Sequence, residues 1–365
     1  AQVMSLWQAF RFAVAAGAGL ASVAMSGRCM RLPWLLLLLL LAGGAPVEHA
    51  EHYYIASNSA GGLKVVTAAG EGTLQVLVSA DWMHRLPEVT RALVLVPGTP
   101  RDADLTQRMA QAAMFAAGEA GRGTIIVLPR FLAASDAAAR QASGDVLRWS
   151  STGWIDGEAA TGPAPLSSFD ALDAVLAQFA DPRMFPNVHR LVLAGHGAGA
   201  QLVQRYAVVG RGMPALASAG VAVRYVVANP SSYLWPSDDR PVPASRTACG
   251  TAERWPYGLV GAPAYVEQIE ALEERYIARD VVYLLGEADT DADHPQLDRS
   301  CAAEAQGPTR YVRGMNYLFA LEQRHPNLVR HRILSIWGVG HDAGSMFVSA
   351  CGLAALFDRP GCAAF

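Results

Sequence analysis

The sequence predicts an α/β fold built on a mostly parallel sheet. Three observations carry that prediction. Runs rich in Val, Leu and Ile recur along the chain, and several are nearly continuous rather than alternating, as in strands buried on both faces. Amphipathic helical segments lie between them. The regular alternation of the two implies helices packed against a parallel sheet.

Taken in order, the strand candidates are Leu74–Ser79, Ala92–Val96, Thr124–Leu128, Leu191–Ala194, Val223–Ala228, Val281–Leu285 and Ile333–Trp337. Leu172, Val175, Leu176 and Phe179 recur at helical spacing, and Ser167 with Asp170 forms a capping box ahead of them. Leu202, Val203 and Tyr206 mark the apolar face of a helix that follows a glycine-rich turn at 195–199. Tyr265–Ala278 and Arg310–Arg324 read as charged amphipathic helices. No internal repeat or long linker interrupts residues 51–365, which are expected to form one domain.

Two stretches break the alternation. Residues 129–166, rich in Ala, Gly, Ser and Pro, contain Trp149 and Trp154; residues 229–262 contain Tyr233, Trp235, Trp255 and Tyr257. Each follows the C-terminal end of a strand, where parallel sheets place ligands, and long irregular segments there serve as lids or binding loops. Trp154, Ser231, Tyr233 and Trp235 are the expected substrate contacts; surface cover is the alternative reading of each aromatic.

The N-terminus reads as targeting sequence. Met30-Arg31 precedes seven leucines, Leu35 to Leu41, and then small residues from Ala42 to Ala45. That order describes a secretory signal peptide over residues 30–50. The apolar run is short for a bilayer span, so no stable span is expected after its removal. Residues 1–29 read as an upstream leader or as sequence from a wrong start. Secretion or periplasmic export agrees with the cysteines. Cys249, Cys301, Cys351 and Cys362 follow the leader, and in an oxidising compartment four cysteines allow three pairings. The favoured set is Cys351–Cys362, closing a short C-terminal loop, and Cys249–Cys301, joining two loops; buried thiols are the alternative. There is no CxxC, and the Cys–His spacings do not suggest zinc. The net charge is −3, without a basic stripe or acidic tail, which argues against a nucleic-acid partner. Nothing calls for a cofactor or metal, and oligomeric state is not legible.

The chemistry concentrates in Gly195-His196-Gly197-Ala198-Gly199. A sharp turn from strand to helix with glycines on both sides is the layout of a nucleophile elbow, which holds a serine in a strained backbone conformation at a helix N-terminus. Here the central residue is Gly197. A dinucleotide-binding loop fits poorly, because the turn is mid-chain and lacks the G-x-G-x-x-G spacing. In an elbow hydrolase the acid and histidine follow in that order. Asp289 comes after the strand Val281–Leu285, and His341 after Ile333–Trp337. Asp289 would orient His341, with Asp291 as the runner-up acid. Asp289, Asp291 and Asp293 do not form a calcium loop, since His294 replaces the required glycine and the closing glutamate is absent. For an oxyanion hole the candidates are the Thr99 and Ala198 N–H groups; Pro100 has none to give.

On these residues the chain resembles the α/β-hydrolase superfamily, and more closely its secreted bacterial esterase-like members with a GHSAGGQ-type elbow. The similar segments are "AGHGAGAQLVQRYA", "YVVANPSSYLWP", "VVYLLGEADTD…LDRSCAAEAQG" and "GVGHDAGSMF". The resemblance covers most of residues 85–357. It implies a sheet of about eight strands flanked by helices, and hydrolysis of small-molecule or polymeric ester or acyl substrates. Two departures stand out. Gly197 replaces the nucleophile, and Pro97 stands where many relatives carry histidine before the oxyanion glycine.

Glycine cannot form an acyl-enzyme. It also relieves a strain of about 1–3 kcal/mol that another residue would carry in that conformation. A water activated by His341 is the remaining nucleophile. Ser345 is expected to lie in the following helix, and Ser231 and Ser232 to line the pocket. The expectation is a hydrolase-family protein that is inactive or weakly active as it stands. The alternatives are a carboxylic-ester hydrolase that works with serine at position 197, and a non-catalytic ligand-binding protein. Retention of both Asp289 and His341 favours the first two.

Overall fold

The computed structural model describes residues 62–211, 214–241, 249–267, 271–326 and 330–362. The expected leader and signal peptide lie outside them. Eight strands form one sheet: β1 (Leu63–Thr67), β2 (Gly70–Val78), β3 (Arg91–Val96), β4 (Thr124–Arg130), β5 (Arg190–His196), β6 (Ala222–Ala228), β7 (Asp280–Gly286) and β8 (His331–Ile336). Their spatial order is β1-β2-β4-β3-β5-β6-β7-β8. β1 and β2 pair antiparallel, as do β2 and β4, and every pair from β4 to β8 is parallel. The mostly parallel eight-stranded sheet is therefore as expected.

The continuous apolar runs have a direct cause. In β3, Ala92, Val94 and Val96 face one core while Leu93 and Leu95 face another. Helices cover both sides. Phe169 and Leu172 of the helix Ser168–Ala177, Leu202, Val203 and Tyr206 of Ala198–Val209, and Tyr317 and Leu321 of Arg310–Arg324 fill the first core. Ala110 and Ala113 of Ala103–Ala117, Met346 and Phe347 of Ala343–Val348, and Leu353 of Ala350–Phe357 fill the second. The Ser167–Asp170 capping box forms as expected. Among the described residues no helix is long and apolar enough to cross a membrane.

Two expectations need correction. Tyr265–Ala278 is not one helix: the described parts are Ala264–Glu267 and Leu272–Ile277, and between them Ala271 has φ +47°, where a right-handed helix cannot continue. The aromatics of the two irregular stretches are also not on an open surface. Trp149 and Trp154 are buried against Phe131, which stacks on Trp154 at 5.6 Å, and Tyr233 and Trp235 are buried around Tyr317. Their large apolar area goes into the core, so Trp154, Tyr233 and Trp235 act as packing here.

Cys249 bonds Cys301 and Cys351 bonds Cys362, with S–S lengths of 2.10 and 2.00 Å. This is the favoured pairing. Replacing Cys249 and Cys301 together by Ala should lower stability by about 2–4 kcal/mol, read as a drop in the urea midpoint. The same variant should also lose the linked peptide in a non-reducing digest.

His331, at the start of β8, lies buried between tyrosines. Its Nε2–H donates to the Tyr276 carbonyl at 3.1 Å, and its Nδ1 faces the Tyr283 hydroxyl at 3.3 Å. Burial pushes this imidazole down to about 4. An unfolded histidine titrates near 6.5, so below that value the unfolded chain binds the proton that the folded one refuses. The contribution of His331 is thus complete above about pH 6.5. It is lost at about 1.4 kcal/mol per pH unit as the pH falls toward 4. Urea titrations between pH 4 and 7 should show this acid limb, and His331→Gln should flatten it.

Candidate active site

The elbow is built by close approach. β5 ends at His196, Gly197 adopts φ 56° and ψ −117°, and the helix begins at Ala198. A Cβ on Gly195 would lie 2.4 Å from the Gly199 carbonyl carbon, and one on Gly199 would lie 2.4 Å from the Val96 carbonyl oxygen. Neither site admits a side chain. Gly197 differs: its Cβ would meet only His341, 3.2 Å from Nε2 and 3.4 Å from Cε1. The flanking glycines are thus required by backbone packing. The central one is favoured only by its positive φ, which L-residues adopt at a cost. Its N–H donates to the Ala228 carbonyl at 3.0 Å, which pins the turn to the end of β6.

The acid and histidine loops leave β7 and β8 side by side. Gly286 ends β7 within 2.3 Å, measured from its virtual Cβ, of the Val339 carbonyl oxygen. The Ala288 N–H donates to that same carbonyl at 3.0 Å. Asp289 and His341 are thereby brought together, with His341 Nδ1 2.8 Å from Asp289 Oδ2. Burial pushes the Asp289 carboxyl up. The His341 hydrogen bond and the charges of His341 and Arg310 outweigh it, so the carboxyl lies below its ordinary value. An ionised carboxylate only accepts, so Nδ1 carries a proton and Nε2 is turned toward position 197. Asp291 is exposed and accepts instead from the Asp293 N–H.

Several residues of this site went unnoticed in the sequence. Arg310, 1% exposed, donates from Nη1 to Asp289 Oδ1 at 3.3 Å and from Nε to Ser231 Oγ at 2.9 Å. Ser231, expected at the substrate face, is buried and holds this arginine. Asn229, fully buried with φ +45°, accepts from the Gly286 N–H at 2.9 Å and donates to the Gly340 carbonyl at 3.0 Å. It ties β6, the acid strand and the histidine loop together. The His196 ring lies 4.5 Å from that of His341. Burial and the neighbouring His341 push its imidazole down to about 3, so it stays neutral. Asn229 stands in the quoted "ANPSS" at a strand end, a visible signal. Arg310 had none, because its meeting with Asp289 depends on the fold.

The oxyanion candidates fall on adjoining segments. Ala198 opens the helix directly after the elbow. A Cβ on Gly98 would lie 3.8 Å from the His196 carbonyl oxygen, so the loop carrying Thr99 borders the turn. Arg101, at φ +51°, braces this loop through paired contacts to Asp136 at 2.6 and 3.3 Å and bonds to the Thr99 and Ser151 carbonyls. Ser345 lies exposed in the first turn of the next helix, its N–H capped by Asp342. Ser232 accepts from Arg205 and donates to Gln201, joining the elbow helix to residues 229–241. Among the described residues no group of three or more His, Cys, Asp or Glu side chains converges as a metal site.

The fold has solved counterparts. Poly(aspartic acid) hydrolase-1 from Sphingomonas sp. KT-1 is 22% identical, with 78% of this chain and 94% of that chain covered at a TM-score of 0.54. LpqC, a poly(3-hydroxybutyrate) depolymerase from Bordetella parapertussis, is also 22% identical, with coverage of 79% and 86% and a TM-score of 0.53. No family model and no curated protein matches the chain. At this identity the likeness shows the fold, an α/β-hydrolase fold, and nothing finer.

Proposed function

We propose that this chain is an exported ester or acyl hydrolase of the α/β-hydrolase fold whose catalytic apparatus is assembled around a missing nucleophile. One observation carries the reading. The Asp289–His341 pair holds Nε2 3.2 Å from where a β-carbon at position 197 would stand. An Asp-supported imidazole is the general base that activates a serine there. The roles follow: Asp289 orients His341, His341 is the base, and the Ala198 and Thr99 N–H groups receive the oxyanion. With Gly197 no acyl-enzyme forms, and the chain as it stands is inactive or hydrolyses slowly by water attack. Elbow, acid and histidine keep the geometry of a working site, which favours loss of one side chain over a scaffold adapted only to binding. Two disulfides fit an oxidising compartment and support export. The two structural neighbours are named as enzymes acting on polymers, so polymeric esters belong among the substrates to try. The test is Gly197→Ser, assayed with nitrophenyl esters and a fluorophosphonate probe; a variant that neither turns over nor labels would refute the assignment.

A further inference from the structure

One side chain at the site belongs to none of these roles. His294 lies on the loop after Asp289, partly exposed, and its ring meets that of His341 edge to face at 5.2 Å and 69°. Its Nδ1 faces two donors at once: the Gln296 N–H at 3.2 Å and Arg310 Nη2 at 3.3 Å. A guanidinium has no acceptor atom and a peptide N–H only donates. Nδ1 must therefore be the bare nitrogen, and the ring proton is fixed on Nε2. Burial and the Arg310 charge push this imidazole below its ordinary value. The result is a hydrogen-bond donor of fixed tautomer beside the general base.

Its place decides what it meets. In acyl transfer the histidine that takes the nucleophile's proton hands it to the leaving group, so the departing alcohol or amine comes within reach of His341. We propose that His294 recognises the leaving group, selecting acyl substrates whose alcohol portion carries its own carbonyl or carboxylate acceptor. This rests on the hydrolase reading and narrows its substrate class. A plain alkyl alcohol offers His294 nothing to accept its proton, and a second ester or acid unit does.

The chain as it stands permits a test by binding, because Gly197 supplies no nucleophile to consume the ligand. The probes are 3-butyryloxybutyrate and sec-butyl butyrate, which share an acyl group and differ in a carboxylate on the alcohol. Ligand-observed NMR titration gives both Kd values. The carboxylate ester should bind more tightly. His294→Leu should weaken it about tenfold, the size of one hydrogen bond, and leave sec-butyl butyrate within about twofold. His294→Gln, whose amide N–H can take the place of Nε2–H, should restore most of the difference. Equal binding of the two esters by the unaltered chain would overturn the proposal. So would unchanged or equal weakening of both by His294→Leu, which would mark a merely structural residue. The hydrolase reading fails separately, if Gly197→Ser is not labelled by fluorophosphonate; the binding selectivity reads His294 whichever way that falls.

Discussion

Gly197→Ser should raise ester hydrolysis by about 10³-fold or more over the chain as it stands, and the same change should cost stability. The gain is the difference between a complete triad and the residual acceleration, roughly 10³–10⁴ over water, that oxyanion stabilisation and binding leave when the triad is broken. The new Oγ stands one bond beyond a β-carbon already 3.2 Å from His341 Nε2, within hydrogen-bond reach of that nitrogen. The cost arises because the turn holds φ +56°. Placing an L-residue there takes about 1–3 kcal/mol, and the His341 ring must yield by a few tenths of an ångström. Gly197→Ala separates the two effects, since it carries the strain without the hydroxyl. It should lose the same stability in urea titration and gain no activity. Equal activity in the serine and alanine variants would place the nucleophile elsewhere. Adding His341→Ala to the serine variant should abolish both the turnover and the labelling.

Arg310→Met should destabilise the fold by about 3–5 kcal/mol at neutral pH, the penalty for stripping a buried carboxylate of its cation. Asp289 is 2% exposed and shares its charge between His341 and Arg310. Its carboxyl is held below the ordinary value. In the unaltered chain the stability it contributes is therefore present above about pH 4, where the unfolded carboxylate is ionised. That contribution is lost as the pH falls through the folded value. In the variant, burial is opposed by His341 alone and the carboxyl moves up. The deficit should be largest near pH 7 and shrink as the pH approaches 4. Urea midpoints of the two proteins at several pH values check this. A deficit independent of pH would mean that Arg310 contributes packing and no charge. Arg310→Lys should recover part of the loss, but not the contacts a guanidinium makes to Ser231 and His294.

What could be read from the sequence follows what is local. Strands buried on both faces give apolar runs, and each anticipated run is a strand. β1 escaped because it is a short edge strand with Val65 as its one buried residue, too weak a pattern to separate from loop. The strand-to-helix turn at 195–199 and the meeting of Asp289 with His341 were legible through chain order and through their places just past strand ends. The supporting contacts were not. Arg310 opens a helix whose charges read as solvated, yet the fold turns Arg310 and Arg313 into the interior. The tryptophans failed in the opposite sense: aromatic content in irregular chain signals a binding surface or a packed cover equally, and only tertiary placement separates the two.

The Asn229 clamp bears on how the molecule breathes. The buried Asn229 side-chain amide holds the N–H at the end of β7 and the carbonyl next to His341, while the Asn229 backbone N–H donates to the Leu284 carbonyl. The two loops cannot loosen independently without stranding a polar group away from water. Local opening here is therefore all-or-none: the site should protect its amides from hydrogen exchange as one cooperative block. Asp289 and His341 are thus held in register by the same residue that joins the end of β6 to the end of β7 and to Gly340.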